Sequence, residues 1–590
     1  MPEFRRIPLR LALTHSWRPL IAAVALAGVT ACASPGPANA AAENEGGTVF
    51  KAGADVAGKF LAGRHAENIG DYSAAVELTR DVLDANPDDE KLLARTHLLL
   101  ISVGQVDEAV ALAGRIVALD QADPLGNLTL ALNALKKRDY GTALGHLEKL
   151  ELSGANRILV PLLRAWTLAG KGDTAAAIEV LGNFDSSGSF TVIAGLHGAL
   201  IAELGGDDEA AAQAYARTAG ASGNGLPLQV VNGFSRFLAR TGRIDEARAV
   251  VSDFAKRHPA NLLIDPARRA LEAGKLPETV AATAQAGAAQ SLRAVADLLH
   301  REGVNNSALV FIRLALFLNP RDPGMQSLLG GIYRGQQRYD DAIAVLEAID
   351  RGSPYAWYAR LDIANSLQAK SDAAGAVELL RGMVSERPDR SEAVRALGDF
   401  LRFEERYEEA VEAYDTAIER LSGAPDWRLH YSRGIALERL KFWPRAEKDF
   451  LKALALEPDQ PLVLNYLGYS WVEHGVNFDQ AKAMIEKAVA QRPRDGYITD
   501  SLGWVLYRLG DYKGAVGWIE KAVALEPGDS TINDHLGDAY WLVDRRQEAT
   551  FQWKRALSFD PEPDMAEKIR AKIEGRNRPQ PLPPGARRDI

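Results

Sequence analysis

A chain of 590 residues that is 47% hydrophobic and 25% charged can bury a core and stay soluble, while its formal net charge of −9 has the wrong sign for nucleic acid or for broad adsorption to anionic lipid. A single cysteine excludes an internal disulfide framework and thiolate metal sites. Leu and Ala dominate and β-branched runs are few, which favours an all-helical chain.

The first elements are targeting signals. Arg5, Arg6, Arg10 and Arg18 make a basic stretch, and Leu20 to Val29 is an apolar run of ten residues, too short to span a membrane but suited to a secretory signal. Val29-Thr30-Ala31-Cys32 follows and resembles the bacterial lipobox, in which the cysteine is diacylated and becomes the first residue of the mature chain. The only cysteine of the chain thus stands where lipidation needs it. Cleavage at Ala38-Asn39-Ala40 is the alternative and gives a soluble periplasmic protein. Ala33 rather than Asp follows Cys32, which by analogy with enteric bacteria directs the protein to the outer membrane. Without residues 1–31 the chain keeps 65 basic and 77 acidic residues, a net charge of −12. Residues 32–55 are rich in Ala, Gly, Asn and Pro and read as a flexible tether.

From residue 56 onward the sequence repeats. In the first part, 56–288, the period is worn: Ala109, Ala143, Ala177 and Ala211 step by 34, while Ala75 with Pro87 and Ala247 with Pro259 keep a twelve-residue interval. Gln105-Val106-Asp107-Glu108-Ala109, Arg138-Asp139-Tyr140 and Gly242-Arg243-Ile244-Asp245 read as turns between paired helices. Stretches 182–190 and 218–227 are loop-rich, and 262–288 reads as one eroded unit.

From 289 to 563 the period is strict. Pro458, Pro493, Pro527 and Pro561 lie 35, 34 and 34 residues apart, and Gly434, Gly468, Gly503 and Gly537 follow the same step. So do Ala446, Ala481, Ala515 and Ala549. Upstream, Ala410, Ala376, Ala342 and Ala308 continue the series; Ser422 breaks the proline series once. A small residue in each helix lets the pair approach closely, an aromatic fills the space beside it, and proline ends the second helix. Residues 564–575 read as an amphipathic capping helix stopped by Gly575, and 576–590 as a disordered Pro/Arg tail.

Leu536-Gly537, Tyr540, Ala549, Trp553, Ala556 and Pro561 together resemble the tetratricopeptide repeat. Leu467-Gly468, Trp471, Ala481, Ala488 and Pro493 match it with one extra turn residue, and Leu502-Gly503, Leu506, Ala515, Ala522 and Pro527 match it with leucine in the first aromatic place. The resemblance covers about 56–563 and implies an all-α, right-handed α-solenoid of about fifteen helix-turn-helix repeats. In that family, positions 2, 5, 9 and 12 of the first helix line a concave groove. With each glycine as position 8, these places fall on Leu462, Asn465, Tyr469 and Val472, then Tyr497, Asp500, Trp504 and Tyr507, then Thr531, Asp534, Asp538 and Trp541. The expected partner-binding residues are Asn465, Tyr469, Tyr497, Asp500, Trp504, Tyr507, Asp534, Asp538 and Trp541, because aromatics beside fixed polar groups suit an extended peptide. Packing of the same aromatics against the next unit is the competing expectation. The family's carboxylate-binding set of Lys, Asn and Arg is not present, so an acidic groove for a basic or neutral segment is expected.

No catalytic constellation is legible. The ten histidines are scattered, without H-E-x-x-H, and neither a phosphate-cradling glycine loop nor a G-x-S-x-G elbow occurs. Gly205-Gly206-Asp207-Asp208 reads as a turn, and Asp88-Asp89 and Asp340-Asp341 as helix-start acids. The expectation is a non-enzymatic scaffold, lipid-anchored in the bacterial cell envelope, that binds protein partners and takes no cofactor, metal, nucleic acid or small-molecule substrate. The alternatives are a component of exopolysaccharide export or outer-membrane assembly, and a soluble periplasmic repeat protein.

Overall fold

The computed structural model of the chain describes residues 54–182, 189–223, 225–421 and 425–581. The signal, Cys32, most of the tether, Ser422 and the end of the Pro/Arg tail lie outside the described residues. Thirty α-helices and one 3-10 turn cover the described residues, with no strand among them. The fold is all-α, a helical repeat solenoid. Six helix pairs run from Ala54–Asn68 with Tyr72–Ala85 to Leu228–Arg240 with Ile244–Arg257. Eight more run from Ala284–Arg301 with Asn305–Leu318 to Ser530–Leu542 with Arg546–Leu557. Between the two runs, the eroded unit is reduced to the 3-10 turn Leu262–Ile264 and the short helix Asp265–Glu272. The regular part starts at Ala284 rather than 289, since Thr283 caps the helix by accepting from the backbone N–H of Ala286.

The chain divides into two compact units, with described residues 54–376 in one and 377–581 in the other. In the C-terminal unit the 34-residue step has a direct mechanical cause. A Cβ on Gly398, Gly434, Gly503 or Gly537 would stand 2.8, 2.7, 2.4 or 2.5 Å from Tyr414, Phe450, Ile519 or Trp553 of the paired helix. The space each glycine leaves is therefore filled by the large residue sixteen positions on. Helix ends follow from proline. Glu457, Arg492 and Glu526 each precede one and adopt φ of −133°, −129° and −126°, outside the helical basin, because the following ring excludes it. The extra turn residue after Trp471 is absorbed by Asn477, left-handed at φ 52°.

The N-terminal unit uses the same buried alanines: Ala75, Ala109, Ala143, Ala177, Ala211 and Ala247 are fully buried, as are their C-terminal counterparts. It differs in that helices far apart in sequence meet. Ala284–Arg301 packs on Asn156–Lys171, where a Cβ on Gly287 would lie 2.1 Å from the Trp166 ring. Asn305–Leu318 packs on Glu90–Val103, and Arg313 Nε donates to the Ser102 carbonyl at 3.3 Å across 211 residues. Lys136 Nζ sits 3.6 Å from the centre of the Phe317 ring, and the Arg338 guanidinium lies over both Tyr72 and Tyr333. The unit is thus closed by contacts beyond the nearest neighbours.

The expected turns fall in place. Gly104 at φ 87°, Arg138 at 61°, Gly206 at 77° and Gly242 at 82° carry the left-handed residue between paired helices. Asp89 is an N-cap, accepting from the backbone N–H of Leu92 at 2.9 Å.

Candidate partner-binding groove

The expected groove residues lie on three successive first helices, Pro461–Glu473, Gly496–Arg508 and Ser530–Leu542, each opened by a capping side chain, Gln460, Asp495 or Asp529. Asn465, Tyr469, Asp500, Asp534 and Asp538 are buried, and Tyr497, Trp504, Tyr507 and Trp541 are half-buried. Six of the nine converge, and Asn465 is buried one unit earlier with its Oδ1 lacking a hydrogen-bond partner. Asp500 Oδ2 pairs with His535 Nδ1 at 2.8 Å, and the His535 ring stacks on Trp504 with centroids 3.9 Å apart. Trp504 also stacks on Tyr507 at 4.7 Å, and its indole N–H donates to Glu473 Oε1 at 2.7 Å. Arg508 donates to the same carboxylate oxygen at 3.0 Å. The Tyr469 and Tyr507 hydroxyls are held well above the usual phenol value, first by burial and then by nearby carboxylates, Glu473 and Asp500 for the one and Asp538 and Asp534 for the other. The remaining two point elsewhere: the Tyr497 hydroxyl is pushed up to about 12 by burial and by Asp529 and Glu526, and Trp541 packs on Trp553 under Arg546 and Arg578.

The acids at the last rung are engaged within the chain. Lys572 Nζ, on the closing helix Pro563–Ile573, donates to both oxygens of Asp534 at 2.9 and 2.8 Å and to Asp538 at 2.8 Å. Trp553 donates to Asp538 Oδ1 at 2.9 Å. Burial and the adjacent Asp534 push Asp538 up to about 6 against the opposing pull of Lys572. For His535, burial is the largest influence and lowers the imidazole, but Asp500, Asp534 and Asp538 together raise it above its ordinary value. Among the described residues, the permanent cations that hydrogen-bond to Glu473, Asp500, Asp534 and Asp538 are Lys572 and Arg508, so the carboxylates outnumber them.

Lys572, His535 and Glu473 were not expected in the groove. The signal for Lys572 was present: 504, 538 and 572 are successive 34-residue steps, so the closing helix is a first helix in phase, with Ala571 at the small position and Lys572 at the inward one. Its end is also more ordered than the expected tail. Gly575 is left-handed at φ 86°, and the N–H groups of Gly575 and Arg576 bond to the carbonyls of Lys572 and Ala571, a Schellman closure. Arg578 then donates to the Lys572 carbonyl at 3.2 Å and covers Trp541. The disorder expected from residue 576 does not apply to these residues, because the freed carbonyls and the indole face give Arg578 partners.

Residues 361–425, 403–461 and 477–530 match the family model described as the tetratricopeptide repeat. These residues carry tetratricopeptide repeats. Over 85 residues it is 36% identical to TPR repeat-containing protein PA4667 of Pseudomonas aeruginosa, a match spanning 14% of this chain and 14% of that protein. The tetratricopeptide array also aligns with two solved structures. One is the APC/C hetero-tetramer Cut9-Hcn1, with a TM-score of 0.38, 15% identity, and 83% of this chain and 96% of that one covered. The other is yeast Tom70, with a TM-score of 0.34, 14% identity, and 88% and 95% covered. Tetratricopeptide repeats present surfaces for protein partners, so the coarse function of the array is that of an interaction scaffold.

Proposed function

We propose that this chain is a non-enzymatic adaptor of the bacterial cell envelope, held to a membrane by acylation at Cys32 and binding partner segments in the groove of its C-terminal repeats. The observation that supports the groove most directly is the stacking of Trp504 on both His535 and Tyr507, with Asp500 paired to His535, which brings aromatic faces and a fixed acceptor together as an extended peptide requires. The lipobox-like Val29-Thr30-Ala31-Cys32 and the lack of any other cysteine support the anchor.

Crosslinking in the native envelope followed by mass spectrometry tests the adaptor reading. Specific proteins crosslinked to residues 461–542, reduced several-fold by Trp504→Ala, are expected; recovery of no protein above background, or a yield indifferent to Trp504→Ala, sinks it. Cys32→Ser tests the anchor by itself. Release of the protein from the membrane fraction is expected, and a variant that still sediments with membranes after a salt wash overturns acylation as the anchor.

A further inference from the structure

The acids along the groove are not equally served. Asp534 has both oxygens bound by Lys572, and Asp538 is bound by Lys572 and Trp553. One unit earlier Asp500 stands in the same place as Asp534. The inward residue that follows it at the next step is Asp538, where Asp534 has Lys572. Asp500 is only 5% exposed; its Oδ2 binds His535, but Oδ1 is buried with no hydrogen-bond partner. One unit earlier again, Asn465 is likewise 5% exposed, with Oδ1 buried and unpartnered. Buried acceptors lacking a donor are rare because each forfeits its hydration without return. Two of them, on adjacent first helices that pack together, lie in a region already short of positive charge.

We propose that Asp500 forms a subsite for the cationic side chain of a partner segment, a lysine or arginine whose N–H group donates to its Oδ1. This deepens the scaffold reading above and rests on it. Lys572 shows the chemistry within the chain: an ammonium group is what the equivalent acid one unit later accepts. A cation supplies what a neutral donor does not, since it also offsets the excess of Glu473, Asp500, Asp534 and Asp538 over Lys572 and Arg508. His535 cannot serve in its place, because its Nδ1 is committed to Oδ2 and its ring to Trp504. An acidic segment is disfavoured by the same charge balance.

The probe is a set of four labelled heptapeptide pools with a fixed central residue, lysine, arginine, norleucine or citrulline, and random flanks lacking Lys and Arg. Each pool is titrated against the full chain by fluorescence anisotropy. The lysine and arginine pools are expected to bind about tenfold tighter than norleucine and citrulline, the size of a charge-assisted hydrogen bond. That preference is expected to vanish in Asp500→Asn, an isosteric change that keeps an acceptor for His535, and to persist in Asp544→Asn, at an exposed acid on an outer turn. Equal binding of all four pools is the result if the Asp500 Oδ1 holds only water, and it overturns the subsite. So does a preference that survives Asp500→Asn, or no binding by any pool. Because the comparison between pools is made on the unaltered chain, it stands even if Asp500→Asn fails to fold. Equal pools alongside successful envelope crosslinking leave the scaffold reading standing and remove only the cation subsite; failed crosslinking removes the scaffold itself.

Discussion

The two units are built from the same pair of helices and the same buried alanine, yet they spend their surfaces differently. In the C-terminal unit each helix pair answers chiefly to its neighbours in sequence, and Gly503 against Ile519 or Gly537 against Trp553 is a contact made inside one pair. In the N-terminal unit Gly287 meets Trp166, Arg313 meets Ser102 and Arg338 meets Tyr72, all across more than a hundred residues. The contacts are made from both stretches of the sequence: Tyr72, Ser102 and Trp166 lie where the period is worn, while Arg313 and Arg338 lie where it is strict, and the alanines between paired helices stay buried in both.

That contrast is broken most severely at the two buried tryptophans. Trp166 and Trp553 are both fully buried, and truncation of either to alanine is expected to cost about 3–5 kcal/mol. The spread of the damage should differ. Trp166→Ala should lower amide-exchange protection in both Asn156–Lys171 and Ala284–Arg301, and in Ser189–Gly205, where His197 loses the indole N–H it accepts at 2.8 Å. Trp553→Ala should stay within 530–573. Damage confined to Asn156–Lys171 in the first variant would show that the long-range packing carries no energy.

Much of this was legible in the sequence, for identifiable reasons. Gly503 and Pro527 impose local geometry, so their spacing reveals the helix pair, its turn and its end. The inward places could then be counted, which brought Asp500, Trp504 and Tyr507 together correctly. Counting could not say that Trp541 turns toward Arg578 or that Tyr497 turns toward Asp529, because side-chain direction depends on what the next unit presents. Long-range closure was illegible for the same reason: nothing local to Gly287 names Trp166. Lys572 was readable but lay beyond the last proline, where the strict count had stopped.

A lysine beyond that boundary gives the next effect in size. Lys572→Met leaves Asp534 and Asp538 buried without their cation, and a cost of roughly 3 kcal/mol is expected at pH 8, above the raised value of Asp538. At pH 5 the loss should fall to about half, because Asp538, already pushed up to about 6, takes a proton and relieves the repulsion. Urea unfolding followed by tryptophan fluorescence at the two pH values measures the difference. An equal loss at both would mean that Asp534 and Asp538 do not share the lysine's charge.

Acid should separate the units without any substitution. Burial pushes His97 down to about 4 and His197 to about 3. Their stabilisation is complete above the unfolded value near 6.5 and is lost as pH falls toward the folded values, since the unfolded chain then binds protons the folded chain refuses. Between pH 7 and pH 5 each should weaken the N-terminal unit by about 2 kcal/mol, partly offset by Glu203 and Asp362, whose carboxyls burial raises. The C-terminal rung behaves oppositely. His535 and Asp538 have raised folded values, so their contribution is full at low pH and fades as pH rises through those values. Amide exchange corrected for intrinsic rates should show protection falling in Glu90–Val103 and Ser189–Gly205 from pH 7 to 5 while it holds or grows in Ser530–Leu542. Parallel loss in both would break the contrast.

The smallest effect tests whether closure depends on single polar links or on packing. Arg338 is nearly buried, lies over Tyr72 and Tyr333 at 4.8 and 4.2 Å, and donates to Asp341 at 2.8 Å. Arg338→Leu keeps the aliphatic stem and removes the charge, so about 1 kcal/mol should be lost, the scale of a partly desolvated cation–π contact. The loss should register in Tyr72–Ala85 as well as in Tyr339–Glu347, because the guanidinium belongs to both ends of the closed unit. Arg381→Ala, which breaks an exposed pair with Glu409 in the C-terminal unit, should change no melting temperature measurably. If Arg338→Leu is equally silent in Tyr72–Ala85, closure is held by the apolar interface around Trp166 and Gly287, and the cation only decorates its rim.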